Sequence, residues 1–358
     1  MFAPVLLLSL AATGALASYS IQDTYIGYDF LAWKWETFQG LEPTHGRTQY
    51  VDKSTALASK PFPSDDSFIM RADNVNRVPP AAPGRKSVRI VSPDAYADSV
   101  IVLDLWHMPA GCATWPAFWT LSKAGPWPHG GEIDIIEGKL QRHLSISVHS
   151  DVLHAGVNNN TDNLSSLHTT PNCYMSTSQP RYQTGSVLFS MFSIFFLTFT
   201  SQSNCIDPMR HERIISTRDA ACRSPSPILT AIPFNSHGGG WYAMKRGPAC
   251  GVSIWFWSRY NPSVPLEVSQ GRSTINPDPA LWGIPDAVFP MDNCDYSSHF
   301  DAHSIVFDLT FCGDWAGTVY GDSGCPGSCI DFVDNNPEEF DEAYWQISSL
   351  RIYTPDSW

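Results

Sequence analysis

The chain has 358 residues, a formal net charge of −13, only 22 Lys plus Arg, and thirteen Trp. That length suits one large all-β domain or two small ones, and an acidic chain without a basic patch argues against nucleic acid or anionic membranes as partners. Abundant Trp suits carbohydrate, because indole faces stack on the apolar faces of pyranose rings, although many such indoles are simply core.

Residues 1–17 read as a secretory signal. Val5-Leu6-Leu7-Leu8 begins an apolar run, and Ala15-Leu16-Ala17 is a small-x-small cleavage site leaving Ser18 as the mature start. No Lys or Arg precedes the run, so the α-amino group alone supplies charge there. Export implies an oxidising compartment for the nine Cys, of which an odd one stays unpaired unless it bridges to another chain. The mature region, 18–358, is expected to be a single domain. Ser87–Val91 is the first clear alternating strand, and Pro79-Pro80 and Pro83-Gly84 punctuate the approach to it.

Next comes the hexad Glu132-Ile133-Asp134-Ile135-Ile136-Glu137, between Gly130-Gly131 and Gly138. Isoleucine favours a strand, and alternate strand side chains share a face. Glu132 and Asp134 therefore point one way, and Ile133 and Ile135 the other. Plain alternation would send Glu137 into the core. One extra residue, a β-bulge at Ile135-Ile136, returns it to the acidic face. An edge strand can look like this by chance, but no Lys or Arg separates these acids before Lys139. Glycoside hydrolysis needs such a grouping, with one carboxylate as nucleophile and one carboxylic acid as proton donor.

Further along, Asn159-Asn160-Thr161 and Asn163-Leu164-Ser165 are glycosylation sequons. Val187 to Thr200 is uncharged and very apolar, yet short for a membrane span, which needs about 20 residues. Trp255 and Trp257 alternate on a strand and share a face, as either a sugar platform or a core wall. His299 and His303 have helical metal spacing, but His303 enters the alternating strand His303–Phe311, so zinc is not expected there. Cys325-x-x-x-Cys329 lacks a second metal-like pair and points to disulfides. Trp345–Tyr353 reads as a closing strand. The chain ends without a hydrophobic tail, which argues against a glycolipid anchor. Long amphipathic helices and internal repeats are absent, so the expected fold is a β-sandwich.

The bulged E-x-D-x-x-E motif resembles the signature of glycoside hydrolase family 16. The stretch from Trp106 to Trp119 resembles its fungal laminarinase branch. So do Gly239–Met244, Trp255-Phe256-Trp257, Phe311–Gly317, Thr44–Arg47 and Pro83–Arg89. The resemblance implies a concanavalin-like jelly-roll with a concave sugar-binding cleft, acting on β-1,3 and mixed β-1,3/1,4 glucans. It implies that Glu132 is the nucleophile, Asp134 its helper and Glu137 the general acid/base of a retaining mechanism. Arg89, Trp115, Trp119, Trp127 and His168 match or adjoin substrate-binding positions, and Trp255 and Trp257 are assigned to the cleft with them. No cofactor and no catalytic metal are expected, and a structural calcium is not readable from sequence. The expected partner is a β-glucan, met by a secreted, extracellular monomer.

Two stretches depart from the family pattern, 139–156 and about 186–202. Both read as translated introns. Gly138-Lys139 can be encoded with a GGTAAG donor and Ala155-Gly156 with a CAG acceptor, and excision joins Gly138 to Val157 and Gly185 to Ser203. A genuine buried insertion is the alternative. Competing functions are a cell-wall transglycosylase of the same fold and a non-catalytic glucan-binding protein.

Overall fold

Residues rich in β-branched and aromatic side chains at alternate positions form eighteen strands in the computed structural model, which describes residues 18–40, 42–58, 63–138, 163–173, 183, 186–187, 218–224 and 231–356. In chain order they begin with β1 (Tyr19–Tyr25), β2 (Lys34–Trp35), β3 (Thr48–Tyr50), β4 (Phe68–Arg71), β5 (Arg85–Ser87) and β6 (Arg89–Tyr96). There follow β7 (Ser99–His107), β8 (Thr114–Ser122), β9 (Glu132–Glu137), β10 (Asn163–Thr169), β11 (Ser186–Val187) and β12 (Arg218–Ser224). The last are β13 (Gly240–Gly247), β14 (Gly251–Ser258), β15 (Thr274–Ile275), β16 (Ala287–Phe289), β17 (His303–Phe311) and β18 (Tyr344–Pro355). The expected strands at the C-terminal end match β17 and β18. The stretch Ser87–Val91 instead breaks at Val88, between β5 and β6.

Two eight-stranded sheets carry the molecule. One runs β15-β1-β18-β7-β13-β14-β16, with β4 also paired to β18. The other runs β11-β12-β10-β9-β8-β17-β6-β2 and holds the acid hexad in β9. We call them the backing sheet and the acidic sheet. Their inner faces meet in one core, where Ile101, Leu103 and Leu105 of β7 join Ile347, Leu350 and Ile352 of β18. Against these pack Ile90, Phe118, Ile133, Ile135, Ile136, Ile305 and Phe307 of the acidic sheet. The Phe118 and Phe307 rings stack at 4.5 Å. Two antiparallel sheets packed through one apolar layer make a jelly-roll β-sandwich. The helices among the described residues are short, none exceeding seven residues.

The described disulfides are Cys112–Cys325, Cys173–Cys294 and Cys312–Cys329. Cys325 and Cys329 thus enter separate bridges. Cys250 is a free thiol. His303 is buried, with Nδ1 2.9 Å from Thr120 Oγ1 and Nε2 2.7 Å from the Gly130 carbonyl. His299 sits against Thr169 and Thr170. Both are satisfied structural histidines. The stretches 139–156 and 188–202, and the sequon at Asn159, lie outside the described residues.

Candidate active site

The strand β9 departs from plain alternation at the doubled isoleucine. Across to β8, Phe118 pairs with Ile136 while the next residue, Trp119, pairs with Asp134, so Ile135 is the extra residue. Across to β10 the same slip appears, with Leu164 opposite Glu137 and Ser166 opposite Asp134. The three isoleucines remain in the core, at 2 % exposure or less. Burying each contributes roughly 1.5–3 kcal/mol, enough to fix which face the acids take. The bulge leaves the Ile135 carbonyl outside the regular ladder, and side chains from β10 satisfy it. Asn163 Nδ2 donates to it at 2.8 Å and Ser165 Oγ at 3.0 Å, while the Glu137 amide donates to Asn163 Oδ1 at 3.3 Å. Asn163 and Ser165 are the acceptor and hydroxyl positions of the second sequon. Asn163 is buried with its amide occupied, so that sequon is a clasp for the bulge and not an open glycan site.

Glu132, Asp134 and Glu137 thus share the open face of the acidic sheet with His168, which pairs with Glu132 across the β9–β10 ladder. Each carboxyl has its own donor. Trp127 Nε1 donates to Glu132 Oε2 at 3.0 Å, and Trp115 Nε1 to Glu137 Oε1 at 3.0 Å. Ser166 Oγ donates to Asp134 Oδ2 at 2.6 Å. His168 Nε2 lies 3.1 Å from Asp134 and 3.9 Å from Glu132. Burial, and then the charge of Asp134, push the Glu132 carboxyl up to about 8, against the pull of His168 and the Trp127 N–H. Burial and Asp134 likewise hold Glu137 well above the ordinary carboxylate range. His168 pulls both glutamates down against this rise, and the carboxyls titrate as a coupled cluster.

One ligand atom each of Glu132, Asp134 and His168 falls within 4.8 Å of the others, a spacing that could hold a cation. Every one of these side chains already has a neighbour within the cluster. Ser166 and His168 hold Asp134 there, and Trp127 holds Glu132.

The next strands extend the floor. Trp119 of β8 donates from Nε1 to Asp308 of β17 at 3.0 Å. Arg89 of β6 lies 4.8 Å from the Trp119 ring centre, 3.4 Å from Asp308 and 2.8 Å from Glu36. Two carboxylates and one indole hold this guanidinium in place. Burial pushes Asp308 up to about 6 even with Arg89 beside it. Trp115 meets Trp315 edge-on at 5.3 Å. The structure therefore gathers Glu132, Asp134, Glu137, Arg89, Trp115, Trp119, Trp127 and His168 on one face.

Trp255 and Trp257 are not there. Both are buried in a cluster with Trp241, Val268 and Trp282, on the side of the backing sheet away from the core. They wall a second apolar cluster on the outer side of that sheet, and their assignment to the cleft is corrected. Their alternation fixes a shared face but does not say which layer covers it. Asp308, Glu36 and Ser166 escaped the sequence reading, since nothing local marks a lone acid or serine in a strand. Asp308 and Ser166 come to the site through the cross-strand register, and Glu36, just past β2, through its ion pair with Arg89.

A family model described as XgeA-like, catalytic GH16 domain matches residues 35–153 and 149–353, the two pieces meeting inside 139–156. A probable glycosidase of Schizosaccharomyces pombe is 37% identical over 94% of this chain and 69% of its own length. The endo-1,3(4)-β-glucanase xgeA of Emericella nidulans is 32% identical over 95% of this chain and 48% of its own. The chain thus spans about half the length of several curated relatives. Laminarinase 16A of Phanerochaete chrysosporium, solved with 6-O-glucosyl-laminaritriose in donor and acceptor sites, matches with a TM-score of 0.76. It is 38% identical, covering 94% of this chain and 100% of that one. An elongating family 16 β-1,3-glucosyltransferase matches at 0.71 and 30% identity, covering 94% of this chain and 100% of that one.

Proposed function

The chain belongs to glycoside hydrolase family 16, and from that membership together with its acid cluster we propose that it is a secreted, retaining endo-β-glucanase acting on β-1,3 and mixed β-1,3/1,4 glucans. The observation that carries the reading is the bulge, which puts Glu137 on the same face as Glu132 and Asp134. Ionised Glu132 attacks the anomeric carbon while protonated Glu137 gives its proton to the leaving oxygen. Glu137, now a carboxylate, takes a proton from water, and that water releases the sugar from Glu132 with net retention. Asp134, between the two glutamates in sequence, raises both by its charge and so helps keep Glu137 protonated. All atoms come from two carboxyls and water, so this cycle calls for no cofactor. Trp119 and Arg89, packed together beside the acids, are the residues we assign to sugar contact in this reading. The three disulfides among the described residues suit an oxidising, extracellular setting.

The test is Glu132→Gln, assayed by reducing-sugar release from laminarin. Turnover should fall at least about a thousandfold with most binding retained, because one oxygen of an isosteric side chain is changed. Undiminished hydrolysis would remove Glu132 from the nucleophile role. A second reading, transfer of the glycosyl group to another sugar, is supported by the likeness to the glucosyltransferase. Product analysis with an added acceptor oligosaccharide separates the two, since elongated products appear only if a sugar competes with water for the intermediate. A purely binding role is disfavoured by the presence of both glutamates.

A further inference from the structure

On the far side of the backing sheet, away from the acids, the arrangement of indole, guanidinium and carboxylate seen at Arg89 occurs a second time. Arg259 lies 4.3 Å from the Trp106 ring centre and 4.2 Å from that of Trp241, so two indoles enclose it. Its Nη2 donates to Asp104 Oδ1 at 2.7 Å and to the Leu105 carbonyl at 3.1 Å, and its Nε donates to the Gly238 carbonyl at 3.1 Å. Trp106 follows Asp104 by two residues on β7 and so shares its face. Unlike Trp255 and Trp257, it is 43 % exposed, and Tyr260, next to Arg259, is 77 % exposed. The turn before β13 passes close to Trp106 because Gly239 has positive φ, and a Cβ there would lie 2.0 Å from the Leu105 carbonyl.

Two polar side chains on this face have no partner. Trp241 Nε1 and Ser349 Oγ are both buried, and both residues flank Asp104 across the sheet. Trp106, backed by the Arg259 guanidinium and 43 % exposed, can offer an indole face to a flat, polar-rimmed ring. Asp104 cancels the charge of Arg259, so the surface suits a neutral polyhydroxyl chain and not an ionic partner. A lone exposed indole among polar groups is also far smaller than the apolar patch that marks a protein interface.

We propose that Trp106, backed by Arg259 and Asp104, is a second sugar-binding surface that holds a β-glucan chain on the sheet opposite the cleft. The surface rests on the reading of the protein as a glucanase, and it serves polymeric substrate: a chain captured there stays near the enzyme while the cleft cuts elsewhere. The test uses the full chain in the Glu132→Gln background, so that bound polymer is not consumed. Depletion from solution by insoluble β-1,3-glucan is measured for that protein, and again with Trp106→Ala and Trp106→Phe added. Trp106→Ala should weaken binding roughly three- to tenfold, and Trp106→Phe should restore most of it because an aromatic face remains. With Glu132 intact, Trp106→Ala should lower the ratio of activity on insoluble polymer to that on a short laminari-oligosaccharide. Overlapping isotherms and an unaltered ratio overturn the proposal. So does a shift from dimer to monomer in sedimentation without a change in glucan binding, which would make the face a contact between copies of this chain. If the unsubstituted protein cleaves no oligosaccharide at all, the glucanase reading fails instead, independently of Trp106.

Discussion

Single side chains set the charge state of the cleft. His168 favours the ionised form of Glu132, so removing it raises that carboxyl further. With His168→Gln, the acid limb of the kcat/KM profile should move to higher pH and the plateau fall roughly tenfold, as a pH–rate series on laminarin will read. The raised carboxyls also bear on stability. Their folded values lie above the ordinary 4.5, so their contribution is fully present below that pH and is lost as pH rises through the folded value, about 8 for Glu132. Glu137→Gln cannot ionise. Its thermal midpoint should exceed the parent's at about pH 9, and the gap should close toward about pH 4, as scanning calorimetry across that range will show. The three acids were legible as residues because they cluster in six positions. Asp308 and Glu36 were not, because each reaches Arg89 only through the fold.

At the level of elements, β9 works because its bulge is held from the neighbouring strand. The doubled isoleucine made the bulge legible, whereas its clasp was hidden in a pattern that reads as a modification signal. Asn163→Ala removes a donor to the Ile135 carbonyl and the acceptor for the Glu137 amide. It should cost about 1–3 kcal/mol of stability and lower kcat more than it raises KM, since Glu137 loses its anchorage. Thermal unfolding paired with steady-state kinetics checks both. An unchanged kcat would mean that the bulge holds without Asn163. The strands at β17 and β18 were readable from alternation alone. The break at Val88 was not, because apolar and polar residues continue to alternate across it.

For the molecule as a whole, the β9–β10 hairpin bears on the chain's true length. Glu137 and Leu164 face each other across the ladder, yet 25 residues, 138–162, separate Glu137 from Asn163. Seven would separate them if 139–156 were absent, close to ordinary hairpin lengths. We therefore propose that the mature protein lacks 139–156, and from the departure from the family pattern also about 186–202, a stretch whose first two residues pair with β12 as β11 in the full-length chain. Transcript sequencing should show both joins, and the shortened protein should stay soluble at concentrations where the longer one, carrying the uncharged run from Val187 to Thr200, aggregates. Continuous reads through both stretches would refute this. The sandwich itself was legible because alternating strands with Gly and Pro turns leave few other folds. The role of Trp255 and Trp257 was not, since a pattern within one strand carries no information about what packs on top of it. The two indoles that donate to Glu132 and Glu137 are also fluorophores lying directly on titrating groups. Each protonation event or arriving ring alters the field across an emitting dipole, so the cleft carries its own optical gauge, readable without any attached dye.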